Sequence, residues 1–536
     1  MSARTDLPTL LGFNPDPTPA PRTPVHEAIC RQAARTPDAT ALRYGDDALT
    51  YRQLLDDAAA LASRLTARGI GPGAVVGLSA RRGPALVTAV LGVLLSGAAY
   101  VPLDPRHPPV RLRAMLDSTR AALLLTDDTA PPLPDGHPVP VLPLTGAPPD
   151  DDPSAGAPVP LDWRHHRAEP AVVDGLCCVI FTSGSTGEPK GVELPHAALA
   201  NRLAGMLARH RLGPSDVLLQ KTPYTFDVSI WELLLAFLAG GTLAVAPPDA
   251  HRDPQALVEL IRRHGVTMVH FVPSMLALFV TEPGAGLCTT LRTVLCGGEA
   301  LPPALANTLT AALPQAAVHN MYGPAEATID VTGWHCRPHE DGDLVPIGRP
   351  LSNVRAYVVD ESGGLAPVGV PGELLLAGPS LARGYAGRPD LTAERFVELP
   401  VAGRAERVYR TGDLARWSPD GHLDYLGRID TQVKIRGQRV ELGEIEATLR
   451  RHPRVRDAIA ALRDGRTLVA YAVPAAGGPD EFDEALLRGH LADHLPEHMV
   501  PARVVPLTAI PTTAHGKADR TALPPPPRRR PPRPGR

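Results

Sequence analysis

The sequence predicts an α/β protein: a large N-terminal domain of layered α/β subdomains plus a β-rich subdomain, followed by a small C-terminal α/β domain. Three observations predict it. Helix-period and strand-period apolar patterns alternate from Val25 to about Val318, as layered α/β bodies require. Residues 343–430 then break into short apolar runs separated by Gly, Pro and Asp turns, the pattern of an antiparallel sheet. After Asp430 a compact helix and strand pattern resumes. At 536 residues the chain is in any case too long for one simple core.

Residues 1–24 are proline-rich and read as a poorly ordered N-terminal arm draped on the body. Ala58–Leu65 has helical spacing, Ala74–Leu78 is a short strand-like run, and Ala85–Leu95 is an apolar helix. The Pro, Asp and Gly-rich stretch 130–160 is an irregular excursion. The apolar stretch Trp231–Pro247 contains Glu232, Gly240 and Gly241, so it reads as buried helix, turn and strand rather than a membrane span. Arg355–Val359, Glu373–Leu376 and His422–Tyr425 are strands of the β-rich part. In the small domain Glu444–Arg451 and Glu484–Leu495 read as helices, and Ala458–Leu462 and Leu468–Val473 as strands. The expected organisation is an arm at 1–24, a large domain at 25–429, a small domain at 430–522, and a disordered Pro/Arg-rich tail at 523–536.

Composition narrows the function. Apolar residues are 44%, charged residues 21% and the formal net charge is −3, which argues against a nucleic-acid reader or a membrane-surface binder. The N-terminus, with Arg4, Asp6 and early prolines, lacks a signal-peptide profile. Six cysteines (30, 177, 178, 288, 296, 336) form no CxxC pair, and Cys177 and Cys178 lie in an apolar run. Core packing in a reducing, cytoplasmic compartment is the expectation. Lysine occurs only at 190, 221, 434 and 517, against 54 Lys and Arg together. Codon bias explains the scarcity, and the four positions that keep lysine are worth following.

The first, Lys190, ends a loop built for an anion. Thr182-Ser-Gly-Ser-Thr-Gly-Glu-Pro-Lys190-Gly191 follows the apolar run Leu176–Phe181 and packs three glycines, four hydroxyls and a lysine into ten residues. Small residues let the backbone approach a polyanion, and hydroxyls, N–H groups and an ammonium donate to it. The spacing is not that of a P-loop NTPase, because Pro189 stands where that pattern needs glycine and Gly191 follows the lysine.

This segment resembles the phosphate-binding signature of adenylate-forming enzymes, the superfamily of nonribosomal peptide synthetase adenylation domains and acyl-CoA ligases. Further motifs come in the family's order: Leu49-Thr-Tyr-Arg-Gln-Leu54, Gly97-Ala-Ala-Tyr-Val-Pro-Leu-Asp104, Phe226-Asp-Val-Ser229, Asn320-Met-Tyr-Gly-Pro-Ala-Glu326, Ala382-Arg-Gly-Tyr385, Tyr409-Arg-Thr-Gly-Asp-Leu414, Gly427–Gly437 with Glu441–Glu446, and Gly516-Lys-Ala-Asp-Arg520. The resemblance spans residues 49–520. It implies attack of a carboxylate on the α-phosphate of ATP, giving an acyl-adenylate and pyrophosphate.

By resemblance, Thr182, Ser183, Gly184, Ser185, Thr186, Gly187 and Lys190 hold the β- and γ-phosphates. Glu326 takes Mg2+, and Tyr322 stacks on adenine with Gly298, Glu299 and Ala300 along the base. Asn320, Met321 and Gly323 belong to the same nucleotide-facing motif, and Asp413, assisted by Arg428, takes the ribose hydroxyls. Lys517 is the expected catalytic residue, bridging the substrate carboxylate and the phosphate–ribose link once the small domain closes. The same resemblance makes Asp430 a hinge and places Lys434 and Gly437 on the segment that faces a carrier protein's phosphopantetheine arm. Two departures stand out: Ala325 replaces the usual threonine and His515 the usual asparagine.

Phe226-Asp227-Val-Ser points to an α-amino acid: a buried Asp227 needs a cationic partner, and the resemblance implies that it receives the substrate's α-ammonium. Motif-by-motif alignment gives the pocket as Asp227, Val228, Trp231, His270, Leu295, Gly297, Met321, Ile329, Asp330 and Lys517. Val228 and Trp231 form an apolar floor, and His270 with Asp330 suits one small hydroxyl. The set resembles serine-activating pockets, while Gly297 and Met321 resemble threonine activators, so threonine and α-methylserine stay open. No carrier or condensation motif flanks the body, which reads as a stand-alone or excised domain serving a carrier protein in trans. An MbtH-like helper is a further partner of such enzymes. The competing readings are an acid–CoA ligase of the same superfamily and a non-catalytic carrier-docking domain.

Overall fold

The computed structural model describes residues 7–127, 138–144, 159–168, 175–184, 187–401, 403–465, 467–475, 482–512 and 518–526. The chain divides into two compact units. One comprises Met1–Pro105, Met115–Thr182 and Gly191–Asp430; the other comprises Arg106–Ala114, Ser183–Lys190 and Thr431–Arg536.

Among the described residues the larger unit carries three sheets. A nine-stranded sheet runs, in spatial order, through Arg349–Pro350, Thr332–His335, Ala317–Tyr322, Thr293–Gly297, Met268–Phe271, Val217–Gln220, Thr242–Val245, Thr40–Tyr44 and Asp47–Thr50. The six strands from Ala317–Tyr322 to Thr40–Tyr44 are parallel, and antiparallel strands close both edges. Parallel strands are buried on both faces, which is why they read as near-continuous apolar runs. A six-stranded sheet contains Leu176–Thr182, and a five-stranded sheet contains Arg355–Val359, Gly372–Ala377 and Arg404–Trp417. The expected mixed α/β class is therefore present, including an antiparallel β-rich part within 343–430.

The stretch Trp231–Pro247 resolves as the sequence suggested. Helix Val228–Ala239 is apolar almost all round and buried, Gly240 ends it at φ +74°, and strand Thr242–Val245 follows. Among the described residues no helix is long and apolar enough to cross a membrane. All six cysteines are free and buried.

The N-terminal arm is better anchored than expected. Within residues 7–24, Phe13 packs on Trp417 at 5.1 Å. Asn14 bonds both the N–H and the C=O of Ala356, and Thr18 donates to Asn353. An asparagine that pairs with both polar groups of one residue acts as a strand neighbour would, which proline content alone does not reveal.

In the smaller unit, strands Gln432–Ile435 and Gln438–Glu441 form a hairpin whose turn residues Arg436 and Gly437 both have positive φ (51° and 75°), the geometry of a two-residue primed turn. Helix Leu442–Arg450 then packs on the antiparallel pair Val455–Arg463 and Thr467–Pro474, which Arg503–Pro506 extends in parallel. Asp483 caps helix Glu484–Ala492. The tail does not begin at 523 as expected. Leu523 is buried with Ile459, Val469 and Tyr471, and its carbonyl accepts from Arg463 while that of Pro524 accepts from Tyr471. Residues 527–536 lie outside the described residues.

Candidate active site

In open α/β sheets ligands bind beyond the carboxyl ends of parallel strands. In the larger unit three adjacent parallel strands deliver the expected pocket residues there. His270 pairs in register with Leu295, Leu295 with His319, and Gly297 with Met321. A Cβ on Gly297 would lie 3.0 Å from the Met321 carbonyl oxygen and 3.4 Å from His270 Nε2. A side chain at position 297 would crowd that imidazole edge. His270 is 3% exposed, and neither ring nitrogen has a hydrogen-bond partner among the described residues. Burial, reinforced by the charge of Lys221, holds its pKa well below the ordinary histidine value. His270 is therefore a neutral, unsatisfied donor and acceptor. The indole N–H of fully buried Trp231 is also unpartnered among the described residues, so the expected apolar floor carries a polar atom.

Asp227 departs from the expectation of a buried carboxylate. It is half-buried and caps helix Val228–Ala239, its Oδ1 accepting from the Val228 N–H at 2.8 Å. As the N-cap of that helix its carboxylate satisfies one of the backbone N–H groups that have no partner inside the helix. Asp330 was paired in the sequence with His270, but its partner in the structure is Arg202, whose Nη2 donates to Oδ2 at 3.0 Å. Arg202 comes from helix His196–His210, and no motif announced it.

The connection from Tyr322 to Asp330 is strained. Gly323 admits no side chain, since a Cβ would lie 2.2 Å from the Ile329 carbonyl oxygen. Thr328 and Ile329 both have positive φ (62° and 76°), which for β-branched residues costs of order 1–3 kcal/mol each. Thr328 Oγ1 donates to the Ser380 carbonyl, and the Val331 N–H to the Tyr322 carbonyl, which holds the bend. Glu326 lies at its start, fully buried within the short helical turn Ala325–Ala327. Tyr385 donates to Glu326 Oε1 at 2.8 Å. Among the described residues no cluster of three or more His, Cys, Asp or Glu is placed to hold a metal. One oriented carboxylate nevertheless fits Mg2+, which takes one or two protein carboxylates and completes its shell with substrate phosphates.

A second network lies around Asp413. Tyr322 donates to Asp413 Oδ2 at 2.5 Å, and Arg428 to Oδ1 at 2.7 Å. Arg428 also bonds both oxygens of Asp430 at 2.6 Å and the Thr411 carbonyl at 3.1 Å. Burial first and Asp413 second push the Tyr322 phenol well above its ordinary pKa, so it stays a donor. An ionised carboxylate accepts at about four sites, so Asp413 keeps capacity beyond these two bonds. Asp430 is the last residue of the larger unit. Glu299 bonds the Ser274 N–H and hydroxyl, and Asn320 the carbonyls of Val345 and Pro346. Both side chains brace loops, which leaves backbone at Gly298, half-buried, and exposed Ala300 beside them.

In the smaller unit the loop donors are already engaged. Ser183 donates to the Arg439 carbonyl and accepts from the Glu441 N–H, and the Gly184 N–H donates to Glu444 Oε2 at 3.1 Å. Glu444 Oε1 also accepts from buried Arg111 at 2.6 Å. Lys190 Nζ lies 3.7 Å from Glu441 Oε1. Two carboxylates thus satisfy groups expected to meet phosphate. Gly187 adjoins Ala447, and Lys434 is half-buried in the hairpin. Thr182 ends its strand in the larger unit with a hydroxyl unpartnered among the described residues. Ser185, Thr186, His515 and Lys517 lie outside the described residues. After that gap Ala518 pairs with Thr512, and Arg520 donates to Glu446 at 2.6 Å and to the Ala460 carbonyl.

Lys221, the lysine without a motif role, is fully buried. Its N–H and both donors of Thr222 converge on Glu232, and its ammonium lies 4.9 Å over the Phe271 ring. Burial lowers its pKa to about 8 despite Glu232. Its retention in a lysine-poor chain was the signal available.

The AMP-binding enzyme model matches residues 29–386, and the AMP-binding enzyme C-terminal domain model matches 444–517. Phosphinothricin tripeptide synthetase PhsB of Streptomyces viridochromogenes is 48% identical over 517 residues, covering 95% of this chain and 42% of PhsB. Enterobactin synthase component F of Escherichia coli is 42% identical over 530 residues, covering 94% of this chain and 39% of that protein. The chain thus spans less than half of either relative. The solved structure of holo-PA1221, a nonribosomal peptide synthetase protein containing adenylation and PCP domains, superposes with a TM-score of 0.79 at 30% identity, over 96% of this chain and 85% of that one.

Proposed function

The chain belongs to the AMP-binding enzyme family as an amino-acid adenylating ligase of the nonribosomal peptide synthetase kind, and from that premise we propose that it activates L-serine and loads it onto a carrier protein. The observation that carries the choice of serine is His270: buried, neutral, unpartnered at both nitrogens among the described residues, and left uncrowded by the absence of a side chain at Gly297. A buried polar group that nothing satisfies favours a ligand that completes it and rejects the analogue lacking the hydroxyl. Asp330 supplies a second acceptor. Threonine and α-methylserine differ by one methyl, which pockets discriminate weakly.

In the first half-reaction a serine carboxylate oxygen attacks the α-phosphorus of ATP, the bond to the bridging oxygen breaks, and pyrophosphate leaves with the electron pair. Asp227 holds the α-ammonium. Asp413, oriented by Tyr322 and Arg428, accepts from the ribose hydroxyls. Glu326, held by Tyr385, is the carboxylate for Mg2+, which when bound offsets phosphate charge. Lys517 meets the charge that develops between carboxylate and phosphate. In the second half-reaction the carrier's phosphopantetheine thiol loses its proton, sulfur attacks the acyl carbon, and AMP leaves. The segment with Lys434 and Gly437 faces the carrier, and Asp430 is the hinge.

The test is mass spectrometry of a phosphopantetheinylated carrier incubated with enzyme, ATP, Mg2+ and serine, with and without an MbtH-like helper. A mass increase of one seryl residue is expected. Lys517→Ala is expected to stop seryl-AMP formation yet still pass serine from supplied seryl-AMP. Absence of any aminoacyl-AMP across the amino acids, under either condition, overturns the proposal.

A further inference from the structure

Asp330 is not a bare acceptor. Its Oδ2 is held by Arg202 from 128 positions away, with side chains only 8% and 3% exposed. This is the one hydrogen bond of the guanidinium among the described residues, and its buried Nε has no partner. Asp330 Oδ1 has no hydrogen-bond partner among the described residues either. A buried ion pair is weak evidence for stability, since well-packed apolar replacements are often neutral or better. An uncompensated buried carboxylate, by contrast, demands a cation. The arginine therefore changes what the pocket asks of a substrate.

We infer that Arg202 is a specificity-determining positioning residue: it pins Asp330 and balances its charge, so that Oδ1 accepts from a neutral hydroxyl side chain and no longer recruits an ammonium. This rests on the serine reading above and extends it to a class the pocket excludes. The near-isosteric test molecule is 2,3-diaminopropionate, in which a side-chain ammonium replaces the hydroxyl of serine. With Arg202 in place, that ammonium gains no unbalanced anion to offset its desolvation, whereas the hydroxyl needs only one acceptor at Oδ1 and the edge of His270. Without Arg202 the ratio shifts toward the diamine. Lys221, whose charge bears on His270, opposes a cationic side chain in both cases, so the change is read as a ratio between enzymes.

The experiment compares kcat/KM for pyrophosphate exchange with serine, alanine and 2,3-diaminopropionate, at a pH where the diamine side chain is protonated, in wild type, Arg202→Met and Arg202→Met/Asp330→Leu, the last removing both the charge and the acceptor. Arg202→Met is expected to lower the serine to diaminopropionate preference at least tenfold. The double variant, which leaves no uncompensated charge, is expected to fold, to lose the serine to alanine preference at least tenfold, and to show no gain for the diamine. A wild-type ratio in Arg202→Met overturns the inference. Where that single variant shows no cooperative melt, Arg202→Gln, which keeps a donor for Oδ2 and removes only the charge, decides: a wild-type serine to diaminopropionate ratio overturns the inference, and a fall of at least tenfold supports it. Failure of the serine reading is visible in wild type alone, as exchange with alanine equal to serine, and it overturns both.

Discussion

Replacing His270 with leucine separates the two roles a buried histidine can have. Each ring nitrogen is buried without a partner among the described residues, and an unsatisfied buried polar group costs about 1–3 kcal/mol. Leucine removes both groups at similar volume, and such a swap usually costs less than about 1.5 kcal/mol in packing. Two such groups removed, less the packing loss, make the variant more stable than wild type by about 0.5 kcal/mol or more. Most large core substitutions destabilise, so a variant at least as stable as wild type is a distinctive outcome. Function moves the other way. Losing the bond to the substrate hydroxyl removes about 1–3 kcal/mol, or about 5- to 150-fold in kcat/KM for serine. Alanine, which never made that bond, should change by less than about threefold. Urea unfolding and pyrophosphate exchange with the two amino acids measure both sides. A variant destabilised by more than about 2 kcal/mol with an unchanged serine to alanine ratio would refute the reasoning, because His270 would then be a satisfied core residue.

Other substitutions read other parts of the site. Tyr385→Phe removes the hydroxyl that orients Glu326 and should raise the Mg2+ concentration for half-maximal exchange about tenfold, with serine KM unchanged. Asp413→Asn should raise the KM for ATP about 10- to 150-fold, as loss of charge-assisted bonds predicts, and leave the serine to alanine ratio alone. Because His270 is neutral well below its ordinary pKa, that ratio should be flat between pH 8 and 6 in exchange assays. Stability should not be flat. Burial lowers His196 and His210 to about 4, so below about pH 6.5 the unfolded chain takes protons that the native one refuses. Each such histidine should cost up to about 1.4 kcal/mol per pH unit down to its folded pKa, read as a urea midpoint that falls from pH 7 to pH 5. A midpoint that rises on acidification contradicts those burials.

Local pattern and motif made much of this molecule legible. The run Trp231–Pro247 carried its own punctuation in Glu232, Gly240 and Gly241, and it became helix, turn and strand. His270, Leu295, Gly297 and Met321, expected from the sequence to line a pocket, lie on neighbouring parallel strands in register. Long-range pairing was not legible. Arg202 meets Asp330 across 128 positions, and a mid-helix arginine looks the same in sequence whether it meets solvent or a carboxylate. The positive φ of Thr328 and Ile329 could not be read either, since β-branched residues argue against that conformation until the surrounding contacts are known. Asp227 was read as buried because its chemistry suggested a cation, yet it caps a helix and is half-buried. The arm and Leu523 were assigned to disorder on proline content, while a few specific contacts suffice to hold them.

The central claim is that a neutral His270 and a charge-balanced Asp330 read one hydroxyl. The measurement that tests it most directly is amino-acid-dependent exchange of labelled pyrophosphate into ATP, with kcat/KM compared for serine, threonine, α-methylserine, glycine and alanine. Serine is predicted to exceed alanine and glycine by at least about a thousandfold, since a site built to bond a hydroxyl rejects analogues lacking it strongly, and to exceed threonine or α-methylserine by no more than about 200-fold. Alanine exchanging as well as serine would contradict it.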